Sequence, residues 1–509
     1  MIGGGSMTSE EKRKGFLETY KVMYKSREGM EDMLSWMDAV GFLDAPASTR
    51  FHGSYPGGLA DHSNTVYLRL LCLREMLSLG EKIRDDSLFV CGYLHDLCKL
   101  EFYQSAKKAM KNPETGKWED VDTYVINEHF PMGHGEKSAY IAAYFLKLTA
   151  QEALAIRWHM GGYRDGELRS LIDVWKKARD TWNEALILMT HMADAIATYV
   201  DEGDAWPEGC SVENASLSGW HVFRDKLPAV PAGITNEEHF KLLFNHFLGK
   251  REGADKLLAY ICSKQSDFFT APAHEMNFCV VPGGLCEQTL RMFYAMVNIC
   301  DMLQFQTLHT NVTVDSTAAG IKLKASLNIQ TVSRIARIVA DKTVAIEQFN
   351  QQKDEKGAVT VTFDTPCTPG KYVVWYTPDA DTLMEAIAAA SLLNGVGRIN
   401  TYEVEMRNRK AEDGTWEKYP YIYKNEEIPW GSTGAKSVFM AQPFMRLLRD
   451  EALALRWYEG STDGIPFYPC SAAFAKSPLA FCAHMAFLLS AYTNCPFVPA
   501  PSDSEKASV

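Results

Sequence analysis

Apolar residues recur at intervals of three and four along most of the first 200 positions, a pattern typical of amphipathic α-helices. Residues 10–43 have this spacing and predict one or two lead-in helices. Five further runs rich in Ala, Leu and Met predict helices at residues 61–79, 87–99, 135–148, 151–159 and 183–200. Few segments alternate with a period of two, so the predicted fold class is mainly α.

Other stretches predict turns and strands. Residues 107–125 enclose an Asn-Pro-Glu-Thr-Gly turn and predict a surface hairpin or loop, and residues 201–230 form a connector rich in turn residues. A helical run follows at 237–262. Further on, two strand-like segments at 359–364 and 371–376 flank a Pro-to-Gly turn, which predicts a small β-hairpin.

The chain contains an internal repeat. Residues 45–62 carry Ala-Pro-Ala and then Pro-Gly-Gly-Leu, and residues 271–288 carry the same residues in the same register. At the end of this motif, Gln288 stands where the first copy has His62. Four more pairs of segments align in the same way: 94–99 with 393–398, 127–134 with 425–432, 152–159 with 451–458, and 191–194 with 484–487.

The two copies differ mainly at residue types that bind metals. The shared positions are mostly apolar residues, glycines and prolines, which a packed scaffold needs, whereas imidazole and carboxylate groups are what a transition metal needs. The repeat therefore acts as an internal control and predicts an active first half and a scaffold-only second half. His191 persists as His484, so we interpret it as a core residue. The side chains that the second copy lacks are His62, His95, Asp96, His134, His159 and Asp194.

These alignments predict two tandem helical bundles. The first domain, residues 7–200, holds the candidate ligands, and a connector at 201–236 leads to the second domain, residues 237–500. The second copy also carries an insertion at about 305–378, because 106 positions separate Gln288 from Asn394 where 33 separate their counterparts. A chain of 509 residues exceeds what one hydrophobic core usually organises, which agrees with two domains.

Composition narrows the function classes. A hydrophobic fraction of 46% and a charged fraction of 23% fit a globular protein, and a net charge of −12 disfavours a large basic surface for long nucleic acids. The 12 cysteines form no CxxC pair, which predicts reduced core thiols and a cytoplasmic location. No segment approaches about 18 uninterrupted apolar residues, so we expect no membrane span.

A histidine, a His-Asp pair and a distant aspartate on separate helices resemble the HD superfamily of metal-dependent phosphohydrolases. Residues 45–62 and the Leu-His-Asp-Leu-Cys-Lys sequence at 94–99 are similar, more specifically, to the HD domains of bacterial 3′–5′ exonucleases and of relaxase-associated proteins. The resemblance spans residues 45–200. It implies a helical bundle whose metal ligands are His62, His95, Asp96, His134, His159 and Asp194, with His134 and His159 in the places of second-metal ligands.

The ligand types indicate the metal and the chemistry. Imidazole and carboxylate together favour Mn, Fe, Co, Ni or Zn, whereas an all-oxygen site would favour Mg or Ca. The sequence leaves open whether one or two ions bind. The resemblance implies hydrolysis of a phosphoester by a metal-bound hydroxide, with Asp96 bridging the ions and Lys99 contacting the phosphate as a point charge.

Four further residues are candidate substrate-binding groups. Two are histidines that only the first copy has, because Phe278 and Glu427 stand in their places in the second copy. The other two are arginines near the motifs, which are candidate phosphate clamps, with a solvated surface position as the alternative. These four residues are His52, His129, Arg50 and Arg164.

The function predicted from these residues is a metal-dependent phosphohydrolase acting on a nucleotide, cyclic nucleotide or short oligonucleotide. Two alternatives stay open. One is a 3′–5′ exonuclease that grips single-stranded nucleic acid through the second copy, and the other is a non-catalytic metal or nucleotide sensor. Small phosphorylated substrates are favoured over extended nucleic acid, and the oligomeric state stays open.

Overall fold

The structure of the chain is a computed structural model. It describes residues 22–23, 25–49, 53–80, 82–100, 102–112, 116–161, 167–177, 182–203, 206, 222–314, 318–323, 331–339, 348–355, 358–367, 369–411, 413–425, 430–461 and 467–493. These residues divide into two compact units: the first contains those up to 203, and the second contains residue 206 and those from 222 onward. Both units are rich in helix, which confirms a mainly α fold.

The first unit contains helices joined by short turns and a single described hairpin. Strands β1 (Tyr103–Lys111) and β2 (Trp118–Ile126) pair antiparallel and are largely exposed, which confirms the hairpin predicted at 107–125. After the last helix of this unit the chain widens into a π turn at Ala197–Asp201. The helices described in this unit are α1 (Met30–Ala39), α2 (Gly58–Met76), α3 (Asp85–Leu94), α4 (His134–Phe145), α5 (Ala150–Trp158), α6 (Glu167–Lys177) and α7 (Trp182–Ile196).

Close packing of α2 against α3 forms the centre of this unit. Gly92 of α3 lies against Tyr67 of α2 so closely that a Cβ at Gly92 would be 2.7 Å from the Tyr67 Cα atom. The two helices can therefore pack this closely only because the residue of α3 at the contact is a glycine, which has no side chain. Since α2 carries His62 and the end of α3 carries the His-Asp pair, this contact holds the two candidate ligand segments together.

The second unit has the same order of helices and a larger β insertion. A surface hairpin of β9 (Tyr402–Lys410) and β10 (Trp416–Lys424) corresponds to β1 and β2. The run predicted as helical at 237–262 is two helices, because the Gly249–Gly253 segment interrupts it and Gly253 has a φ of +81°. The helices described in this unit are α8 (Asn236–Phe247), α9 (Ala254–Ile261), α10 (Gly284–Met302), α11 (Ala380–Leu392), α12 (Thr433–Ala441), α13 (Arg449–Trp457), α14 (Phe467–Phe474) and α15 (Pro478–Tyr492).

The insertion is more elaborate than the small hairpin expected from sequence. Its two predicted strands both form, as β7 (Val359–Cys367) and β8 (Gly370–Pro378), but they join different sheets. Within the described residues β7 lies between β4 and β6, and β8 lies between β3 and β5. The prediction of a hairpin was wrong because a tight turn brings two strands close in sequence but does not fix their partners. The other strands are β3 (Leu308–Val314), β4 (Ala318–Leu323), β5 (Val332–Val339) and β6 (Asn350–Lys353).

The internal repeat extends to structural detail. Helices α2 and α10 each have 19 residues and each follow a glycine of positive φ, +87° at Gly57 and +76° at Gly283. A φ in this range strains every residue with a Cβ, so both copies keep glycine there. Buried ion pairs repeat as well: Arg27 contacts Glu152 and Asp86 in the first unit, and the second unit has an equivalent cluster of Arg251 with Glu451 and Glu385.

No single helix among the described residues is both long enough and apolar enough to cross a bilayer. Helices α14 and α15 reach that threshold only when they are taken together, and a bend of 112° separates them.

Candidate metal centre

The candidate ligands lie at or near helix ends that converge in the first unit. Helix α3 ends at Leu94, so the prediction that the His-Asp pair lies inside a helix was wrong. His95 caps this helix, and Asp96 leaves it with φ −111° and ψ 19°. Neighbouring side chains on a helix diverge by roughly 100°, so ending the helix here lets both side chains face one centre.

The other ligands come from four helices. His62 lies in the second turn of α2, His134 is the first residue of α4, and His159 caps the C-terminal end of α5. Asp194 lies near the end of α7. Every candidate metal ligand predicted from the sequence is therefore described, and all of them meet in one cluster.

One side of the cluster consists of His62, His95, Asp96 and Asp194. The Nε2 atom of His62 lies 3.3 Å from Nε2 of His95, 3.1 Å from Oδ1 of Asp194 and 3.8 Å from Oδ2 of Asp96. Nε2 of His95 lies 3.4 Å from the same Asp96 oxygen. These atoms are close enough together to bind one cation.

The opposite side of the cluster consists of Asp96, His134 and His159. Oδ1 of Asp96 lies 2.7 Å from Nε2 of His134 and 3.4 Å from Nε2 of His159. The ligand atoms of this group, and those of the His62, His95 and Asp96 group, each lie within 4.8 Å of one another. Asp96 thus presents one carboxylate oxygen to each group, which is the arrangement of a bridging ligand.

Three of the histidines are oriented through their Nδ1 atoms. Nδ1 of His95 bonds to the Gly92 carbonyl at 2.8 Å, and Nδ1 of His159 bonds to the Ile156 carbonyl at 2.7 Å. Nδ1 of His62 bonds to the Glu202 carboxylate at 2.9 Å. A carbonyl can only accept, so the Nδ1 atoms of His95 and His159 carry protons, and their Nε2 atoms are directed into the cluster.

Burial and neighbouring charges act in opposite directions on the pKa of two histidines in the cluster. Burial lowers the pKa of an imidazole, but the carboxylates of Glu202 and Asp194 outweigh it and raise the pKa of His62 to about 10. Burial is likewise outweighed at His134, where Cys98 and Asp96 raise the pKa to about 9. In both cases the anionic neighbours favour the protonated form of the imidazole.

The carboxylates respond in the opposite direction. Burial raises the pKa of a carboxyl group, yet Lys99, His95 and His134 hold the pKa of Asp96 well below its usual value. The pKa of Asp194 is also lowered, because its contact with His62 outweighs burial. Both groups therefore stay ionised at neutral pH, as metal ligands must be.

The donor set fits a borderline divalent cation. Nε2 of His159 is buried and makes no hydrogen bond within the described part of the chain, so a polar atom directed into the cluster is left for a ligand to satisfy. The donors are imidazole nitrogens and carboxylate oxygens, the combination that Mn, Fe, Co, Ni and Zn accept. The buried His and Asp groups could therefore hold a metal ion.

Lys99 and Cys98 adjoin the cluster on the turn after Asp96. The Lys99 ammonium contacts Oδ2 of Asp96 directly, and this contact outweighs burial to raise the pKa of Lys99. Sγ of Cys98 lies 3.1 Å from Nδ1 of His134. Lys99 thus balances the charge of Asp96; contact with a phosphate, as predicted from the sequence, would be additional to this ion pair.

Of the four predicted substrate-binding residues, His129 lies within the described part of the chain. His129 is exposed on the loop after β2, where its Nε2 atom lies 2.6 Å from the Asn127 amide nitrogen, and its described contact is with that residue rather than with the cluster. Arg50, His52 and Arg164 lie outside the described residues.

Sequence reasoning missed Glu202. It was assigned to the connector, yet its carboxylate lies against the ring of His62. The signal was available, because Cys495 stands opposite Glu202 when the alignment of His191 with His484 is continued. Position 202 lies eight residues beyond the aligned segment 191–194, outside the conspicuous motifs.

In the second unit the equivalent positions are filled. A Cβ on Gly395, the counterpart of Asp96, would lie 2.4 Å from Oγ1 of Thr289, so no ligand side chain fits there. Arg398 replaces Lys99 and packs its guanidinium 5.2 Å from the Phe278 ring centroid. These replacements close the place where the first unit has its cluster.

At the start of α4 and α12 the two copies align one position differently from the register predicted by sequence. Ser138 and Ser437 accept equivalent hydrogen bonds, from the backbone nitrogens of Cys98 and of Gly397. The structure therefore places Thr433 opposite His134, where the sequence alignment placed Ser432. The second copy lacks the histidine in either case.

Comparisons with protein-family models, with curated proteins and with solved structures find no match to this chain.

Proposed function

We propose that the first unit is an HD-type metal-dependent phosphohydrolase and that the second is a degenerate copy without metal ligands. The observation that carries this proposal is the orientation of Asp96, whose two carboxylate oxygens face two separate groups of histidines. A carboxylate shared in this way is suited to a pair of divalent cations. When bound, such ions would polarise a phosphoryl oxygen and lower the pKa of water.

The chain's own residues would hold and shield this centre. His62, His95, Asp96 and Asp194 would hold one ion, and Asp96, His134 and His159 would hold the other. Lys99 keeps Asp96 ionised and in place through their ion pair. His62, His95 and His159 are fully buried, so bulk water is kept from most of the cluster.

His134 marks the open side of the centre. Its side chain is 33% exposed, whereas the side chain of Asp194 is 13% exposed and those of the other ligands are almost completely buried. A substrate phosphate would therefore approach beside His134. We propose a nucleotide, cyclic nucleotide or short oligonucleotide as the substrate, because a net charge of −12 disfavours tight binding of a long polyanion.

The test is metal-dependent hydrolysis by the full chain. Protein stripped with a chelator and reloaded with Mn²⁺ or Co²⁺ is assayed on bis(p-nitrophenyl) phosphate and on a panel of mono-, di- and cyclic nucleotides. We expect hydrolysis that needs the metal and that falls by on the order of 100-fold or more in Asp96→Asn, since several kcal/mol of charge stabilisation are lost.

The matched control is Asp85→Asn. Asp85 is an exposed carboxylate at the start of the same helix, α3, and pairs with Arg74. This variant should keep its metal and its activity. Metal binding by the wild-type chain without hydrolysis of any phosphoester would contradict the proposed reaction and favour a metal sensor.

A further inference from the structure

The ring of His62 is held between two carboxylates that come from one helical segment. Oδ1 of Asp194 lies 3.1 Å from Nε2, and Oε1 of Glu202 lies 2.9 Å from Nδ1. A neutral imidazole carries a proton on only one nitrogen. If Nε2 is to bind a cation, the proton must be on Nδ1. The Nδ1–H group can then donate a hydrogen bond, and the Glu202 carboxylate is placed to accept it.

The π turn explains how Glu202 reaches this position. A regular α-helix advances roughly 100° per residue, so eight residues after Asp194 a side chain would lie roughly 80° around the helix from it. The π turn at Ala197–Asp201 is wider and advances less per residue. It therefore rotates Glu202 back toward the face of Asp194, and both carboxylates meet the same ring.

A buried ion pair anchors this turn. Arg69 lies two helical turns after His62 on α2, and its guanidinium bonds Asp201 through Nε at 2.8 Å and through Nη2 at 2.7 Å. The Arg69 side chain is fully buried, and that of Asp201 is 5% exposed. Two parallel hydrogen bonds fix both distance and orientation. Asp201 directly precedes Glu202, so the pair holds the backbone of Glu202 against α2.

The second unit has lost this arrangement together with the ligands. Gln288 stands in the place of His62, and the apolar Ala295 stands in the place of Arg69. Helix α15 continues as a regular α-helix to Tyr492, through the positions where the first unit begins its π turn. The scaffold of the repeat therefore folds without the Arg69–Asp201 pair, which links that pair and Glu202 to the centre rather than to the fold.

We propose that Glu202 is a positioning residue of the candidate metal centre, which fixes His62 with its proton on Nδ1 and its Nε2 lone pair toward the cation. The π turn and the Arg69–Asp201 pair hold it in place. This inference rests on the metal centre of the proposed function, but it does not depend on which reaction the centre performs. Carboxylates that hold metal-ligating histidines commonly contribute 10-fold to 100-fold in metal affinity, about the size of effect expected here.

The test compares Glu202→Ala and Glu202→Gln with the wild-type full chain. Co²⁺ affinity is measured by optical titration, and the imidazole N–H signals of the Zn²⁺-loaded protein are measured by NMR with ¹⁵N-labelled histidine. We expect Co²⁺ affinity to fall by about 10-fold to 100-fold in Glu202→Ala. The Nδ1–H signal of His62 should be lost in that variant. Glu202→Gln keeps an acceptor oxygen, so it should retain the signal and lose less affinity.

The control variant is Glu128→Gln, which removes an exposed carboxylate of the same unit that pairs with Lys137. It should match the wild type in both measurements. Unchanged affinity and an unchanged His62 signal in Glu202→Ala would overturn the inference while leaving hydrolysis by the wild type untouched. Weakened Co²⁺ binding in Glu202→Ala, in a protein that hydrolyses no phosphoester, would support the inference and contradict the proposed reaction.

Discussion

At the scale of single residues, the repeat separates histidines that hold the fold from histidines that form the cluster. Nδ1 of His191 bonds to the His159 carbonyl at 2.7 Å, and its counterpart His484 makes the same bond to the Tyr458 carbonyl at 3.0 Å. Burial lowers the pKa of His191, so it stays neutral. His159, by contrast, has no histidine as its counterpart in the second unit. Tyr458 stands in its place, and both side chains are fully buried. A side chain kept where the ligands are gone supports packing.

Replacing His159 should remove one cation and leave the other. In His159→Asn the group of His62, His95, Asp96 and Asp194 is intact, whereas the second group keeps only Asp96 and His134. Elemental analysis of the Mn²⁺-loaded full chain should therefore give one bound ion where the wild type gives two. Hydrolysis should fall by on the order of 100-fold, since half of the charge stabilisation is lost.

Tyr458→Phe is the matched control for this substitution, because it changes the equivalent position of the second unit. It should leave both the metal content and the activity as they are. Equal metal content in His159→Asn and the wild type would show that His159 is not a ligand.

At the scale of secondary-structure elements, the sequence predicted which helices exist better than where they end. Periodicity identified α2 to α5 and α7, because a helix that buries one face has apolar residues at helical spacing along its whole sequence. The end of α3 at Leu94 was missed because Asp96 leaves the helix for tertiary contacts with Lys99 and His134. The π turn was missed for a related reason: its last residue, Asp201, pairs with Arg69, which lies far away in sequence.

The network of Arg27 shows how elements of the first unit are joined. The Arg27 side chain precedes α1, and it bonds Asp86 of α3 and Glu152 of α5. Burial raises the pKa of a carboxyl group, but Arg27 outweighs burial and lowers the pKa of both Asp86 and Glu152. Their stabilising contribution is therefore present above the ordinary carboxyl pKa values near 4 and is lost as pH falls below them.

This network should make the free energy of unfolding of the first unit fall as pH drops from about 5.5 to 3. In Glu152→Gln we expect a loss of about 2 kcal/mol at pH 7, because a charged hydrogen-bond acceptor is removed, and a shallower decline toward low pH. Urea unfolding followed by circular dichroism at fixed pH values measures both. The control Glu119→Gln, on the exposed β2 strand, should have the same free energy of unfolding as the wild type at each pH. If the free energy of unfolding of Glu152→Gln declined toward low pH as steeply as that of the wild type, Glu152 would not contribute to the pH dependence.

At the scale of the whole molecule, one chain carries the same scaffold twice with different contents. The second unit keeps the glycine that starts α10, the ion pairs of Arg251 and the hydrogen bond of Ser437. It has replaced the cluster with neutral or apolar side chains and with Arg398, which bonds Glu459. Sequence comparison within the chain could predict this division, because ligand loss is visible residue by residue. The two sheets that the described residues of the insertion form could not be predicted, because their strand partners are set by long-range pairing.

Metal should therefore stabilise one unit and not the other. A ligand that binds only the native state adds RT ln(1 + [L]/Kd) to its stability, about 2.7 kcal/mol at 100 times Kd. Hydrogen exchange of the full chain, followed by mass spectrometry with and without Mn²⁺, measures this unit by unit. We expect slower exchange in peptides from α2, α3, α5 and α7, and unchanged exchange in their counterparts α10, α11, α13 and α15. Chelator should reverse the effect, and Asp96→Asn should abolish it. Equal slowing in both units would contradict a metal centre confined to the first, because the groups of His and Asp that could hold a metal ion among the described residues all belong to the first unit.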